Sequence, residues 1–571
     1  MKKSVARKGF IKMLIAGCLI ALLALSFIPF SLASANSEAL KPRILVATDI
    51  GGDIDDQQSM TRFMCYSNEF DIEGLIATAR HSSKGADIRP QIIKDAITAY
   101  GKVRPNLLLH KSGYPTAEYL QSIVKNGHPA RDSFGNDTFN TEGSDWIISC
   151  VDKEDTRPLI ITLWGGATEL AQAVWKVKTT RTTAEFDKFI SKIRLYSINK
   201  QDTGVDWLLT NAPKLFMVLT YNEEKVFTGM HMSGDQTLLT DTWINENLNI
   251  GHGALGAFYP HNTAMLAPKR LKEGDTPAFF YFLSDVIGLS DATHPNWGGW
   301  GGRFIKISDY LWTDAKDTVY LANVGNVTTA QATVWRWRPE YQNDFAARMD
   351  WCVKPYAEAN HNPVAVVKGA LTRTVGPNTQ IKLDATASSD PDGNTLSYEW
   401  MYYKEAGTYA SNITVNNKTT ATADFTAPSV SVPTQIHVVL KVKDNGSPSL
   451  IGYKRVVVNV DPSLPAGYES AASNLYVQDV NAGWTDSTIS VSGTVGNNGQ
   501  TDKTYWPIIA LYNAEGKLTS VKQSTETVSK QDTDDFNLSY NNISNADHAK
   551  LFIWLPTEIL EPIYTKNIEK L

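Results

Sequence analysis

Four aspartates follow one apolar segment near the beginning of the chain. They are Asp49, Asp53, Asp55 and Asp56. The apolar run Ile44–Ala47 before them is typical of a buried parallel strand, and such strands end at crevices where ligands bind. Neighbouring carboxylates repel one another unless a cation lies between them, and oxygen ligands favour a hard ion, Ca²⁺ or Mg²⁺. We therefore favour a metal site; the alternative is a solvated acidic turn at the positive end of a helix near Met60–Tyr66.

A second stretch whose residues could do chemistry is Trp297-Gly-Gly-Trp300-Gly-Gly-Arg303. Paired glycines allow a tight loop or a close approach of the backbone to a ligand. The two tryptophans could stack on sugar rings, and Arg303 could hold an acidic or polar group. A buried loop packed by its own tryptophans explains the same residues, so both interpretations stay open.

The elements that must position these residues alternate along the first part of the chain. Short apolar runs typical of strands are Ile44–Ala47, Ile72–Ala77, Leu107–Leu109, Leu159–Leu163, Ile193–Ile198 and Leu215–Leu219. Helical patterns between them are Pro90–Tyr100, Thr116–Lys125 and Thr168–Lys176. This alternation predicts an α/β fold with a mostly parallel sheet and flanking helices. Right-handed crossovers then gather the strand ends on one edge.

The pattern changes near Asn360–Pro363, where helical periodicity fades and β-type runs begin. We predict an α/β domain over 36–362, an immunoglobulin-like β-sandwich over 363–461 and a second small β-domain over 466–571. Leu383–Trp400 reads as strand, Pro-Asp-Gly turn and strand, which predicts a hairpin whose turn could alternatively hold Ca²⁺. The two β-domains carry no acid/base constellation, so we expect a spacer or carbohydrate-binding role.

Composition and the N-terminus bound the class of protein. The chain has 571 residues and a net charge of −6, which gives no sign of a nucleic-acid-binding surface. A basic start, the apolar stretch Met13–Leu32 and the small residues up to Ala35 predict a signal peptide over 1–35 and export. The alternatives are a retained membrane anchor and a lipidated Cys18.

Three cysteines remain after the predicted signal peptide. They are Cys65, Cys150 and Cys352. So few cysteines in an exported chain do not form a disulfide framework, and their spacing is not that of a zinc site. We expect each to be a buried, small apolar residue, although one pair could bridge.

The stretch Thr48–Asp56, Thr-Asp-Ile-Gly-Gly-Asp-Ile-Asp-Asp, resembles the N-terminal fingerprint of the nucleoside hydrolases, which are Ca²⁺-dependent N-ribosyl hydrolases. The chain resembles more closely the nucleoside-hydrolase-like proteins often labelled cellulose-binding protein. That resemblance rests on Glu273–Pro277, Trp297–Arg303 and Ser388–Gly393, and it covers about residues 40–460.

The resemblance implies a role for each matching residue. Asp49 would bind Ca²⁺ and take a proton from the attacking water, and Asp56 would be a second metal ligand. Thr168, through its backbone carbonyl, and Asp275 would complete the metal site. Asp55 would bind the sugar.

The resemblance also implies sugar-binding groups at Asn199 and Asp202, after the strand that ends at Ile198. Asp53 lies in an insertion and could take over the role of either neighbouring aspartate. Many members of the family carry a histidine before the late metal aspartate, where this chain has Gly274. His81 or His294 could supply the missing proton.

These residues lead us to expect an exported Ca²⁺-dependent hydrolase of a glycosyl bond, N- or O-linked, in a nucleoside or a plant-polysaccharide sugar. A divalent ion lowers the pKa of bound water, and a carboxylate beside it accepts the proton. The alternative is a non-catalytic carbohydrate-binding protein that uses the same crevice. An ordinary purine-salvage nucleosidase is disfavoured by the predicted export and by Gly274. We expect no nucleic-acid polymer as partner, and membrane contact only through an uncleaved signal or a lipid anchor.

Overall fold

The computed structural model describes most of the chain after residue 40. The described residues are 41–80, 87–260, 271–322, 324–469, 475–485, 487–497, 501–514, 516–530, 532–541, 543, 546–555 and 563–568. The predicted signal peptide, Cys18 and His81 lie outside these ranges. No helix within them has the length and apolar character needed to cross a bilayer.

An eight-stranded, mostly parallel sheet forms the centre of the N-terminal α/β domain, as predicted. Its strands are Arg43–Thr48 (β1), Asp71–Ala77 (β2), Val124–Asn126 (β3), Leu159–Leu163 (β4), Ile193–Ser197 (β5), Phe216–Leu219 (β6), Phe304–Lys306 (β7) and Leu311–Asp314 (β8). The spatial order is β3-β2-β1-β4-β5-β6-β8-β7, and only the pairing of β7 with β8 is antiparallel. The strand order reverses between β1 and β4, and a crevice opens at such a point beyond the carboxyl ends of the strands.

Helices cover both faces of this sheet. They are Asp55–Cys65 (α1), Pro90–His110 (α2), Ala117–Ser122 (α3), Glu142–Asp152 (α4), Thr168–Thr180 (α5), Thr183–Ser191 (α6), Gly204–Asn211 (α7), Asp241–Ile244 (α8), Gly253–Phe258 (α9), Thr276–Val286 (α10), Ala332–Trp335 (α11) and Arg338–Trp351 (α12). One apolar core packs α1, α2, α10 and α12 on one face, and a second packs α4 to α7 on the other. Every residue of β1 is buried as a result, which explains why this strand is apolar without alternation.

Two details of the first domain differ from the sequence prediction. The run Leu107–Leu109 is not a strand but the last turn of α2, where Leu108 and Leu109 are exposed. The helix continues through Pro105 to His110, so this short apolar run is part of the helix and not of a sheet. The helix predicted to begin at Thr116 ends at Ser122, and β3 follows it.

Antiparallel pairing dominates the rest of the chain, as predicted. After the hairpin Asp317–Leu321 (β9) and Gly325–Thr329 (β10), the strands of the first β region are Thr372–Val375 (β11), Gln380–Asp384 (β12), Ser397–Tyr402 (β13), Thr422–Thr426 (β14), Thr434–Lys443 (β15) and Ile451–Val460 (β16). They form the sheets β11-β16-β15-β13 and β12-β14 around one apolar core.

The predicted hairpin between Leu383 and Trp400 is wrong. Strand β12 pairs with β14, and β13 pairs with β15 in the other sheet. The Pro-Asp-Gly turn therefore carries the chain from one sheet of the sandwich to the other. The local turn signal was real, but it does not tell which strand lies beside which.

The C-terminal β region has its own core and two further sheets. Its strands are Leu475–Trp484 (β17), Thr488–Asn497 (β18), Lys503–Tyr512 (β19), Leu518–Gln523 (β20), Glu526–Val528 (β21), Asp532–Asn541 (β22), His548–Trp554 (β23) and Tyr564–Ile568 (β24). One sheet has the order β17-β18-β22, and the other has the order β20-β19-β23-β24 with β21 also paired to β19.

The cysteines and several tryptophans lie in the interior of the α/β domain. Cys65, Cys150 and Cys352 are buried and unbridged, as small apolar residues would be. Trp337 and Trp351 belong to the core and do not line the crevice.

A buried ionic cluster joins the α/β domain to the sandwich. Asp317 is fully buried and accepts hydrogen bonds from Arg303 Nε and Arg336 Nη1, both at 2.7 Å, and from the Tyr403 hydroxyl of the sandwich at 2.6 Å. Burial alone would raise the pKa of Asp317, but Arg336 and Arg303 hold that pKa below its usual range. The carboxylate therefore stays charged inside the junction.

Replacing Asp317 with Asn should destabilise the protein by about 3 to 5 kcal/mol, because the guanidinium groups of Arg303 and Arg336 lose their nearest counter-charge. Urea unfolding followed by fluorescence measures this change. Asp309→Asn is the matched control, because the Asp309 side chain is 82% exposed and its pair with Lys306 contributes little. Equal unfolding midpoints for the two variants would contradict this account of the junction.

Candidate functional site

A cavity of about 420 Å³ lies at the carboxyl ends of β1, β4 and β5. Its acidic lining consists of Asp49, Asp53, Asp55, Asp56 and Asp275. The first four come from the segment after β1, and the fifth precedes α10, more than 200 positions later in the chain. The reversal in strand order at β1 and β4 thus creates the crevice, and the fold brings a distant carboxylate into it.

Local structure explains how each carboxylate enters the cavity. Asp49 follows β1, and the backbone turns back at once through a hydrogen bond from the Gly52 amide to the Asp49 carbonyl. Asp55 and Asp56 occupy the first turn of α1, which begins earlier than the predicted helix near Met60. Asp275 immediately precedes the first turn of α10. The positive ends of two helices therefore face the acidic cavity and favour negative charge there.

Three of the carboxylates are deeply buried and repel one another. Asp49, Asp56 and Asp275 are only 6%, 4% and 1% exposed. Burial raises the pKa of Asp49 to about 6, although Arg131 lowers it. Burial and the charge of Asp49 raise the pKa of Asp56 well above its usual range, and burial with both other charges does the same for Asp275. The site therefore gains stability from any added positive charge.

Two side-chain cations already balance part of this charge. Arg131 Nη2 lies 2.7 Å from Asp49 Oδ2. Lys272 pairs with Asp53 and lies 3.5 Å from Asp55 Oδ2. Five carboxylates therefore face two basic groups, which leaves an excess of negative charge in the cavity.

The remaining groups fit a hard divalent cation. Asp275 Oδ2 is buried and has no hydrogen-bond partner among the described residues. One oxygen of Asp56 accepts a hydrogen bond from the Thr48 hydroxyl. The side-chain oxygens of Asp53, Asp55 and Asp56 approach within 4.8 Å of one another, whereas Asp49 and Asp275 line the same cavity outside this closely spaced group. An orphaned buried carboxylate oxygen beside other carboxylates suits Ca²⁺ or Mg²⁺, which prefer oxygen ligands.

Two glycines make room for this arrangement. A Cβ at Gly165 would lie 2.8 Å from the Cβ of Asp49, so a side chain there would displace that aspartate. A Cβ at Gly274 would lie 2.9 Å from Asp55 Oδ2 and would crowd that carboxylate. A histidine at position 274 would therefore crowd Asp55 in this cavity.

The segment before Asp275 is anchored by buried polar contacts to α1. Glu273 forms an ion pair with Arg62, Nε to Oε2 at 2.5 Å, in which both side chains are fully buried. The Tyr259 hydroxyl also donates to Glu273, at 2.7 Å. Gln58 Oε1 accepts hydrogen bonds from the backbone amides of Lys272 and Glu273. These contacts hold Asp275 against the acidic first turn of α1.

The predicted sugar-binding and carbonyl ligands divide into two groups. Asn199 lines the cavity, as do Asp55 and Asp49. Asp202 does not, because its Oδ2 accepts hydrogen bonds from the backbone amide and hydroxyl of Thr168 at 3.0 and 2.8 Å. Thr168 is the first residue of α5 and is not part of the cavity lining either. Asp202 thus caps α5, and this placement does not bring Thr168 to the acidic cavity.

The structure does not place Trp297, Trp300 and Arg303 in the lining of the cavity, and it agrees with the alternative interpretation of a loop packed by its own tryptophans. Trp300 is 2% exposed and packs on aromatic rings of both domains, and Arg303 pairs with buried Asp317. Trp297 stacks on His294 and meets His437 of the sandwich edge to face. This glycine-rich loop therefore packs at the domain junction and not beside the acidic cavity. His294 lies with it, away from the cavity.

The cavity contains residues that sequence reasoning missed. Arg131, Gln201, His231 and Lys272 meet the acidic group or line the cavity beside it. His231 Nδ1 lies 2.8 Å from the Lys272 carbonyl, which can only accept, so Nδ1 carries the hydrogen. The sequence does offer a signal for Lys272, because this residue directly precedes the Glu273–Pro277 motif. Arg131 and His231 lie in loops whose local pattern gives no such signal.

A further buried carboxyl group, Glu169, lies beside Thr168 in α5. Its Oε1 accepts a hydrogen bond from the His128 amide at 2.8 Å, and its Oε2 is buried without a partner among the described residues. Burial raises the pKa of Glu169 to about 8. The folded protein therefore keeps this group protonated at neutral pH.

Because the folded-state pKa is raised, Glu169 contributes stability that is full below pH of about 4.5 and is lost as pH rises through about 8. Glu169→Gln should remove this dependence and stabilise the protein at pH 9 by several kcal/mol relative to wild type. Urea midpoints of both proteins between pH 5 and 9 test the sign, with Asp309→Asn as the control. Parallel curves for Glu169→Gln and wild type would refute it.

Comparisons with known proteins agree with this architecture. Residues 43–304 match the family model described as "Cellulose-binding Sde182, nucleoside hydrolase-like domain", and residues 380–460 match "Cellulose-binding protein Sde0182, C-terminal domain". No match was found among curated proteins.

A solved structure gives the same result. A nucleoside hydrolase-related hypothetical protein from Saccharophagus degradans, described as associated with carbohydrate metabolism, is 35% identical. The alignment covers 74% of this chain and 100% of that chain, with a TM-score of 0.62. The effector protein XOO4466 is 10% identical, with 55% of this chain and 95% of that chain covered and a TM-score of 0.32. The chain therefore belongs to the Sde182 family, with its nucleoside hydrolase-like domain followed by the Sde0182 C-terminal domain.

Proposed function

We propose that this protein hydrolyses a glycosyl bond in a sugar-containing substrate, with Ca²⁺ held by Asp49, Asp56 and Asp275. The observation that carries the proposal is the convergence of these three buried carboxylates on one cavity, with Asp275 Oδ2 left without a partner. The family description and the carbohydrate association of the Saccharophagus relative favour a sugar ligand.

The residues of the chain would divide the chemistry among themselves. A bound divalent ion would lower the pKa of a water molecule. Asp49 would accept the proton from that water, since Arg131 fixes its Oδ2 on one side. Asp55 and Asn199 would hydrogen-bond sugar hydroxyls. The surrounding negative charge would stabilise the positive charge that develops on the sugar carbon.

His231 would protonate the leaving group. It lines the cavity, and its Nδ1–H donates to the Lys272 carbonyl, so the proton for the leaving group would come from Nε2 of the doubly protonated ring. Such a group compensates for the missing histidine at Gly274 from another part of the chain. It also fits a sugar leaving group as well as a nucleobase.

A non-catalytic carbohydrate-binding protein is the second candidate. The Arg131–Asp49 ion pair favours it, because one oxygen of the proposed base is occupied by a guanidinium group. The cellulose-binding description of the family agrees with it. Binding of a glycan without any turnover, with and without Ca²⁺, would favour this candidate over the hydrolase.

Asp49→Asn, Asp56→Asn and Asp275→Asn should each lower turnover by roughly 10³-fold or more, because each removes charge from the ion and from the reacting centre. Release of reducing sugar or free base, across a panel of nucleosides and glycans, measures this effect. Calcium calorimetry on the same variants reports the ion itself, and chelator should abolish wild-type turnover.

Asp309→Asn serves again as the exposed control and should retain wild-type turnover. Near-wild-type activity in the three buried-aspartate variants would remove them from the mechanism. Turnover that persists in chelator would remove the metal.

His231→Gln should lower turnover by about 10²- to 10⁴-fold for substrates with poor leaving groups and much less for nitrophenyl glycosides, which need no protonation. His294→Gln is the matched control, because His294 is half exposed and lies at the domain junction. An equal loss on both substrate types would assign His231 a structural role.

We also propose export through cleavage after Ala35. The basic start and the apolar stretch that follows it support this address. N-terminal sequencing of the protein from culture supernatant tests it. A lipid-modified Cys18 or an intact N-terminus in the membrane fraction would replace this proposal with one of its alternatives.

A further inference from the structure

The C-terminal β region carries a compact apolar patch on the outer face of its larger sheet. Strands β19 and β23 are antiparallel neighbours, with Trp506 opposite Trp554 and Ile508 opposite Phe552. We call these four residues the tryptophan face. None of them belongs to the apolar core of this region, which is filled by alternate residues of the same strands, such as Tyr505 and Ile553.

The tryptophan face is partly exposed and aromatic. All four side chains have intermediate accessibility. The rings of Phe552 and Trp554 have centroids 6.4 Å apart, close to the roughly 7 Å that separates alternate residues of one strand. The outer face of a sheet that meets water normally carries polar residues, so this concentration of large, partly accessible apolar groups marks a surface suited to binding.

Polar, uncharged side chains flank the patch in register. Gln523 of β20 is opposite Ile508, and Thr565 of β24 is opposite Phe552. The next rung holds Val521 of β20, which is 46% exposed, and Lys550, whose ammonium group lies 5.9 Å from the Tyr512 ring. Among the described residues of this face, Lys550 is the one that carries a formal charge.

We propose that the tryptophan face binds a neutral polysaccharide chain, with pyranose rings stacked on Trp506, Phe552 and Trp554. Aromatic rings offer rigid apolar surface to the C–H faces of a sugar, and the Gln523 amide and Thr565 hydroxyl can hydrogen-bond its hydroxyls. The choice of a glycan as ligand rests on the proposed function; the location of the site rests on the sheet. The face would hold the polymer while the acidic cavity acts on it.

Other occupants fit the face less well. A stable dimer buries about 800 Å² per partner, and four partly buried side chains together with the neighbouring Val521 do not supply that area. Anionic membranes and nucleic acids need clusters of basic residues, and the described face offers Lys550 alone. A neutral, hydroxyl-rich chain matches the combination of rings and uncharged rim.

The test uses the full chain and measures co-sedimentation with microcrystalline cellulose and affinity electrophoresis in hydroxyethylcellulose. The double variant Trp506→Ala/Trp554→Ala should bind at least tenfold more weakly. Tyr320→Ala is the matched control, because Tyr320 is a 69% exposed aromatic on the β9–β10 hairpin, and its binding should equal wild type. Turnover of a small soluble substrate should be unchanged in all variants, which separates this site from the cavity.

Thr565→Arg keeps the test valid if the double variant does not fold. Its exposed position on β24 tolerates a large side chain, and the bulk beside Phe552 should weaken binding at least fivefold. Unchanged cellulose binding in a folded double variant or in Thr565→Arg overturns the proposal. So does a wild-type dimer that these variants dissociate while polysaccharide binding persists.

Discussion

The acidic cavity depends on one buried ion pair, between Arg62 of α1 and Glu273. Both side chains are fully buried, and Arg62 also reaches the Tyr341 carbonyl, the Gln342 side chain and the face of the Phe345 ring. Such a pair is stable inside a protein only when most of its hydrogen-bonding groups have partners, as they do here. Its effect is to attach the segment before Asp275 to the helix that begins with Asp55 and Asp56, so the carboxylates cannot move apart to relieve their repulsion.

The balance between carboxylates and basic side chains determines which ligands the acidic cavity can bind. Burial and like charges raise the pKa values of Asp49, Asp56 and Asp275, while Arg131 and Lys272 neutralise carboxylates at the edges of the group. A site of this kind is more stable with an added cation than without one. The same Arg131 contact occupies one oxygen of Asp49 and leaves the other free. The hydrolase proposal requires the free oxygen to accept a proton, whereas the occupied oxygen favours the carbohydrate-binding alternative.

The domain junction has a similar physical basis with a different purpose. Asp317, two arginines and Tyr403 form a closed set of buried hydrogen bonds, and the Trp297–Arg303 loop packs its rings around it. Arg455 of the sandwich donates to the Gly298 carbonyl at 2.8 Å and so fixes the loop from the other side. Residues that resemble a sugar-binding motif in sequence are therefore used for domain packing. Aromatic side chains of the C-terminal β region, which lies beyond the residues matched by the family models, are partly exposed.

The sequence by itself determined the α/β fold, the strand that ends at Asp49 and the acidic group after it, because these follow from local periodicity and from short-range charge. It also indicated Asp275, through a motif and not through spacing. Only the tertiary structure decided that Arg131, His231 and Lys272 join the site, that Asp202 caps Thr168, and that Trp297 and Trp300 face a second domain. It likewise decided that Leu107–Leu109 ends a helix and that β12 and β13 belong to different sheets. The physical reason is that a local pattern records whether a residue is buried or turns the chain, whereas the partner that buries it is set by the packing of distant segments.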